Sequence, residues 1–274
     1  TCSPDADDLF MMRALSDGAI DTGPYTFEID TAPTDALNRI ASGEQGPEVI
    51  ALSIAHLPAV HDRYQLLPHG GSMGEGYGPV VVAREPMSID DLRGCRIAVP
   101  GLTTSAWATL RLVLDDVQPV TIPIVPYAAI FDALRDGSVD AGLIIHEGRL
   151  TFQEQGFHQV LDLGVWWQEQ TGLPLPLGGN AIARRLGPDH IERISALLRA
   201  SIAHGLAHKD QALEWLIGES AALTTTDRMS QYLDMYANDR TLDYGEDGRR
   251  GIQVFFERTA AAGILPSIQV DYAP

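Results

Sequence analysis

The chain has 274 residues, enough for one large or two moderate domains, and 45% of it is hydrophobic, which supplies a substantial core and argues against disorder. A net charge of −18 argues against nucleic acid and anionic membrane surfaces as partners, and requires local donors to capture any anionic ligand. Cys2 and Cys95 make no disulfide framework or thiolate metal site, Lys209 is the single lysine, and no apolar run reaches the ~18 residues of a membrane helix.

Strand-like and helix-like patterns alternate through most of the chain, the signature of an α/β fold. Ser3-Pro4-Asp5-Ala6-Asp7-Asp8 reads as a turn from an opening strand into a helix over 9–16, with Asp8 as its N-cap and Gly18 near its end. Residues 25–29 alternate as a strand. Thr34 caps a helix over 35–42, and a short strand over 49–52 runs into Ser53 and a helix over 54–62. A glycine-rich turn over 70–78 precedes a strand over 79–83. Ser88 then caps a short helix containing Asp90, Asp91 and Leu92. A strand over 96–99 follows, then Thr103-Thr104-Ser105 opening a helix over 106–114. Further strands are expected over 121–125, 139–145, 157–163 and 180–183, with a helix over 128–135. From Pro188 the pattern is helical, over 189–208, 209–219, 226–236 and 246–262. Two α/β lobes result, residues 1–84 with 181–274 and an inserted lobe over 85–180. Such folds hold small molecules in the cleft between lobes.

The most informative stretch is Gly142-Leu143-Ile144-Ile145-His146-Glu147. A short apolar run reads as a buried strand of a parallel sheet, and ligands of open α/β sheets sit beyond the carboxyl ends of strands. A histidine at that point can act as a general base near neutral pH. The plain alternative is a strand surfacing into a polar loop. Pro100-Gly101-Leu102-Thr103-Thr104-Ser105 follows a strand and opens a helix, whose free N–H groups and dipole suit a carboxylate or phosphate; ordinary capping explains it equally. The three carboxylates of Asp5, Asp7 and Asp8 suit a hydroxyl-rich ligand or helix capping better than a metal, because the Gly and distal Glu of a calcium loop are missing. Ser53, at another strand-to-helix junction, suits capping or substrate hydrogen bonding; pairing with His146 as a nucleophile lacks the G-x-S-x-G elbow. His204 and His208 stand four residues apart without a third metal ligand. Trp166-Trp167 and the segment Gly172-Leu173-Pro174-Leu175-Pro176-Leu177-Gly178 suit either a wall for an aromatic ligand or core packing.

These pieces together resemble the 1,4-dihydroxy-6-naphthoate synthase family of the futalosine route to menaquinone. The resemblance runs from Ser3–Asp8 through Ser53, Gly76-Tyr77-Gly78-Pro79 and Pro100–Thr104 to Gly142–Glu147 and Thr171–Gly178. The last two strings are the most specific. The resemblance implies a type II periplasmic-binding-protein fold and a cytoplasmic carbon–carbon lyase needing neither cofactor nor metal. Its substrate would be cyclic de-hypoxanthine futalosine, a small anionic aromatic molecule, and its product 1,4-dihydroxy-6-naphthoate. His146 would be the general base that removes a carbon-bound proton. Asp7, Ser53, Gly78, Thr103, Thr104, Leu175 and Pro176 would bind substrate. A homodimer is compatible with the sequence and not specified by it. The competing readings are a transporter's solute-binding protein, chorismate dehydratase on the same fold, and a sensor domain.

Overall fold

The computed structural model describes residues 1–126, 128–220 and 223–274. Helices α1 (Ala6–Ser16) and α2 (Thr34–Ser42) precede three short strands, β1 (Val49–Ser53), β2 (Tyr64–Leu66) and β3 (Ser72–Gly74). The middle of the chain alternates β4 (Val80–Ala83), β5 (Arg96–Val99), α3 (Ser105–Val113), β6 (Gln118–Thr121), α4 (Ala128–Asp136), β7 (Ala141–Ile144), α5 (Gly148–Thr151), β8 (His158–Asp162) and α6 (Leu163–Thr171). Strand β9 (Leu175–Ala183) leads into α7 (Pro188–Ala207), α8 (Lys209–Glu219), α9 (Thr226–Tyr236), α10 (Asp239–Leu242) and α11 (Gly245–Ala261).

Two sheets organise the molecule. In the first, the long β9 is the spine and pairs antiparallel with β1, β2 and β3. The chain start extends this sheet: the Thr1 amino group donates to the Val49 carbonyl and Cys2 bridges Thr31. The second sheet has the order β6-β5-β7-β4-β8, parallel at β6-β5-β7 and antiparallel on both sides of β4. It is therefore mixed, where the sequence pattern predicts a parallel sheet around residues 139–145. Val80 and Val82 pack into a cluster with Phe131, Leu134 and Phe157, while Val81 faces the main core on the other side. Two-sided burial is what a run of four apolar residues requires.

Sheet membership changes between β3 and β4 and again between α6 and β9. Both crossings come earlier in the chain than the joins expected at 84/85 and 180/181. Val80–Ala83, before 84/85, is already held between β7 and β8 of the second sheet, and 180/181 falls inside Leu175–Ala183, one continuous strand of the first.

Three further expectations change. Residues 25–29 alternate in polarity but form no strand; the isolated Cys2–Thr31 bridge follows the segment, the Tyr25 hydroxyl bonds His190, and Tyr25, Phe27 and Ile29 pack against the core half-buried. The strand expected over 121–125 lies at Gln118–Thr121, at a sheet edge where Pro119 leaves no ladder donor missing toward a further neighbour. Helix α6 was not anticipated; its Asp162 N-cap accepts from the backbone of Gly164 and Val165, and Gly172 closes it in the left-handed region. Gly164 sits so close to the Tyr77 carbonyl that an added Cβ would lie 1.9 Å from it. That contact joins the start of α6 to the crossing into β4.

Candidate active site

His146 follows β7 by two residues and takes a left-handed backbone, φ +52°, the one non-glycine residue with positive φ among the described residues. Such a conformation costs free energy, and residues held in it concentrate at functional sites. The turn sends the imidazole into the cleft between the sheets, where its side chain is 22% exposed. Nδ1 stands 3.3 Å from Oδ2 of Asp5, and Nε2 stands 3.3 Å from Oγ1 of Thr34. Both neighbours come from the first-sheet side, Asp5 from the turn before α1 and Thr34 from the start of α2.

The cleft encloses about 750 Å³, counting its open mouth. Ser3, Asp7, Asp8, Thr34 and Ser53 line one side; Pro79, Thr104, Ser105, Ala106 and His146 line the other. Leu177, Gly178 and Gly179 from β9 and Tyr236 from α9 complete it. No lysine or arginine is among the residues that line it. Positive potential comes instead from the amino end of α3. Thr104 caps that helix: its hydroxyl accepts from Trp107 N–H and donates to the Gly101 carbonyl.

The floor beside His146 is a buried acidic group. Asp5 is fully buried, and Asp7, Asp8 and Glu147 are buried with it. Burial raises Asp7 well above the ordinary carboxylate range, the charges of Asp8 and Asp5 add to this, and the hydroxyl hydrogen bond from Tyr232 at 2.9 Å opposes it. Burial also raises Asp8, against the hydrogen bonds from Ser3, whose N–H donates to Asp8 Oδ2 at 2.7 Å. The cleft wall at Asp7 thus leans toward a neutral, proton-bearing carboxyl.

Of the residues expected at the site, His146, Asp7, Ser53 and Thr104 line the cleft. Ser53 is not paired with His146; its N–H donates to Asn38 Oδ1 at 3.0 Å and its Oγ accepts from Asn38 Nδ2 at 3.1 Å. Thr103 does not line the cleft. Its hydroxyl donates to Asp35 at 2.7 Å and accepts from Asn38 at 2.9 Å, tying the loop after β5 to α2 across the lobes. Leu175 and Pro176 lie outside the lining, buried in register with Gly74 and Met73, and the neighbouring Leu177 faces the cleft instead. Gly78 also lies outside it: its carbonyl accepts from Arg149 at 2.6 Å, and an added Cβ would meet the Gly164 backbone at 2.6 Å. Trp167 is fully buried, donates to the Pro174 carbonyl and packs on Phe255, so core packing accounts for it. Asn38 and Thr34 are site residues that the sequence does not mark, and Asp5, expected with Asp7 and Asp8 for a hydroxyl-rich ligand or capping, faces the imidazole instead. A buried helical asparagine and a threonine at a helix start carry no local pattern that separates them from ordinary helix residues.

Among the described residues no three His, Cys, Asp or Glu side chains converge as metal ligands. His204 and His208 stack on one another at 4.2 Å, and His208 Nδ1 lies 2.8 Å from the His204 carbonyl. Among the described residues no helix is long and apolar enough to cross a membrane.

A family model described as menaquinone biosynthesis matches residues 1–261. The chain belongs to that family. A relative from Streptomyces coelicolor named 1,4-dihydroxy-6-naphthoate synthase is 37% identical over 273 residues, covering 98% of this chain and 95% of the relative. One of the same name from Thermus thermophilus is 38% identical over 262 residues, covering 96% and 93%. A solved Archaeoglobus fulgidus protein is 39% identical, with a TM-score of 0.89 and 96% of each chain covered. An alkanesulfonate-binding protein from Xanthomonas axonopodis, solved with bound MOPS, is 13% identical with a TM-score of 0.67, covering 98% of this chain and 94% of that one. That likeness shows the fold: this family member has the two-lobed periplasmic-binding-protein architecture.

Proposed function

We propose that this chain is a 1,4-dihydroxy-6-naphthoate synthase, a carbon–carbon lyase that takes cyclic de-hypoxanthine futalosine as substrate with His146 as its general base. The observation that carries this reading is the placement of His146. A strained left-handed residue at the carboxyl end of a central strand aims an imidazole into an interlobe cleft, with a carboxyl at one ring nitrogen and a hydroxyl at the other. The full-length identity to relatives bearing that enzyme name supports the substrate.

The neutral imidazole takes a carbon-bound proton through Nε2. The electron pair of that C–H bond expels the sugar-derived fragment, and aromatisation of the second ring drives the cleavage. The substrate carboxylate sits at the amino end of α3, beside Thr104, Ser105 and Ala106, where helix N–H groups supply the positive potential that the lining side chains do not. The upward shifts of Asp7 and Asp8 reduce repulsion of an anionic ligand in an acidic protein. Asp7 and Ser53 contact substrate hydroxyls, and Leu177 packs on the aromatic face. Closure of the lobes excludes water and aligns the base. The enzyme works in the cytoplasm on this receptor-like fold.

The test is turnover of cyclic de-hypoxanthine futalosine by purified protein, without added metal or cofactor, followed by mass. Release of 1,4-dihydroxy-6-naphthoate is the expected result. Binding without conversion would favour a solute receptor, the reading that the alkanesulfonate-binding neighbour's fold suggests. Conversion of chorismate instead would favour a dehydratase.

A further inference from the structure

His146 and the residue at its inner nitrogen belong to different lobes. His146 follows β7 of the second sheet; Asp5 lies in the chain start, which the Thr1 amino group and carbonyl tie to β1 of the first. Asp5 occupies the N-cap position of α1, yet its side chain does not cap that helix. Its backbone is pinned instead, because its N–H donates to Ser3 Oγ at 3.2 Å and Ser3 N–H is in turn held by Asp8 at 2.7 Å. The carboxyl, fully buried, points at Nδ1 of His146 from 3.3 Å. Glu147, the sequence neighbour of the histidine, is not the group found at that nitrogen.

We infer that Asp5 is the positioning residue for His146, an Asp–His pair joined across the cleft. Asp5 accepts a hydrogen bond from the Nδ1–H, which leaves the Nε2 lone pair directed at Thr34 and the cleft. When Nε2 takes the substrate's carbon-bound proton, the C–H electron pair remains on the substrate and the imidazolium formed faces the Asp5 carboxyl, which gains no proton. Contacts of this kind lengthen in ligand-free enzymes and tighten around substrate, and a group that orients a catalytic imidazole fixes its tautomer. This inference rests on His146 being the base of the proposed reaction.

Two measurements test it. The first needs no substrate: ring-nitrogen NMR shifts of His146 in the ligand-free protein, assigned by their loss in His146→Asn. The neutral ring is expected with its proton on Nδ1; a proton on Nε2 overturns the inference. The second is kinetic. Asp5→Asn is expected to lower kcat about ten- to a hundredfold with KM unchanged, and to cost nothing further in the His146→Asn background. Unchanged kcat, or independent losses that multiply in the double variant, overturns the inference and makes Asp5 merely structural. If the wild type releases no 1,4-dihydroxy-6-naphthoate while the Nδ1 proton is found, the functional reading fails and the pairing stands. If Asp5→Asn does not fold, the wild-type tautomer decides alone.

Discussion

His146 combines two demands that rarely coincide, a left-handed backbone and a side chain delivered to a cleft. Asparagine accepts the same backbone region better than most residues and cannot accept a proton as imidazole does. His146→Asn is therefore expected to fold and bind ligand normally while turnover falls by about two orders of magnitude or more, the scale of a lost general base. Matched calorimetric binding and turnover assays check this, and near-normal kcat would remove His146 from the mechanism. Alongside it, Asp7 depends on Tyr232, whose hydroxyl is its hydrogen-bond donor at 2.9 Å and opposes the rise caused by burial. Tyr232→Phe should raise the Asp7 carboxyl further, seen as an upward shift of its side-chain carbon titration by NMR. His146 was legible in the sequence because an apolar run ended at it. Its pairing with Asp5 and Thr34 was not, since those partners stand more than a hundred positions away.

At the level of elements, the lobes are tied by a network that starts at one residue of α2. Asn38 is fully buried and bonds Ser53 on β1 and both the hydroxyl and carbonyl of Thr103 in the loop before α3. Asn38→Ala strands a buried backbone N–H at Ser53 and removes the amide donor to Thr103, so a loss of about 1–3 kcal/mol in unfolding free energy is expected, read from urea denaturation. Weaker closure should accompany it as a raised KM. A helix start was legible where a cap residue preceded a periodic run: Thr104 before α3 accepts a backbone hydrogen bond as caps do. Helix α6 is not legible in the sequence because Leu-Gly-Val-Trp-Trp lacks a clean apolar face and the helix is held by contacts at both ends. Residues 25–29 show the converse. Alternation alone does not make a strand when no neighbouring backbone is in reach.

Across the whole molecule, charge and burial set two responses to solvent. With a net charge of −18, self-repulsion opposes compactness, so raising NaCl from low ionic strength should raise Tm by several degrees, measured by calorimetry. An unchanged Tm would mean that local ion pairs already absorb the repulsion. The second response centres on His69, buried at the base of the first sheet against Ser195, whose hydroxyl donates to the Pro274 carbonyl. Burial, helped by the Arg199 charge, lowers the His69 imidazole to about 4. An unfolded histidine titrates near 6.5 and binds a proton that the folded one refuses. Stability is therefore complete above that value and declines as pH falls from about 6.5 toward 4, by up to about 3 kcal/mol. Asp7 and Asp8, raised on folding, act with the opposite sign. His69→Gln should flatten the acid limb of denaturation midpoints against pH; an unaltered slope would assign the acid sensitivity elsewhere.

Composition, alternation and capping sufficed for the α/β class, the two-lobed plan and the position of His146 at a strand end, because each is written in residues close together in the chain. The order of strands, the antiparallel insertion of β4 and the continuity of β9 depend on which backbones find hydrogen-bond partners, and that is a long-range outcome. The same holds inside the cleft. Thr103 had the chemistry of an anion ligand, but Asp35 and Asn38 claimed its hydroxyl once the lobes met. Asp5 had the chemistry of a cap, and lobe packing set it against the imidazole instead. A side chain's type limits what it can bond, while its actual partner is set by whichever group packing brings within about 3 Å of it.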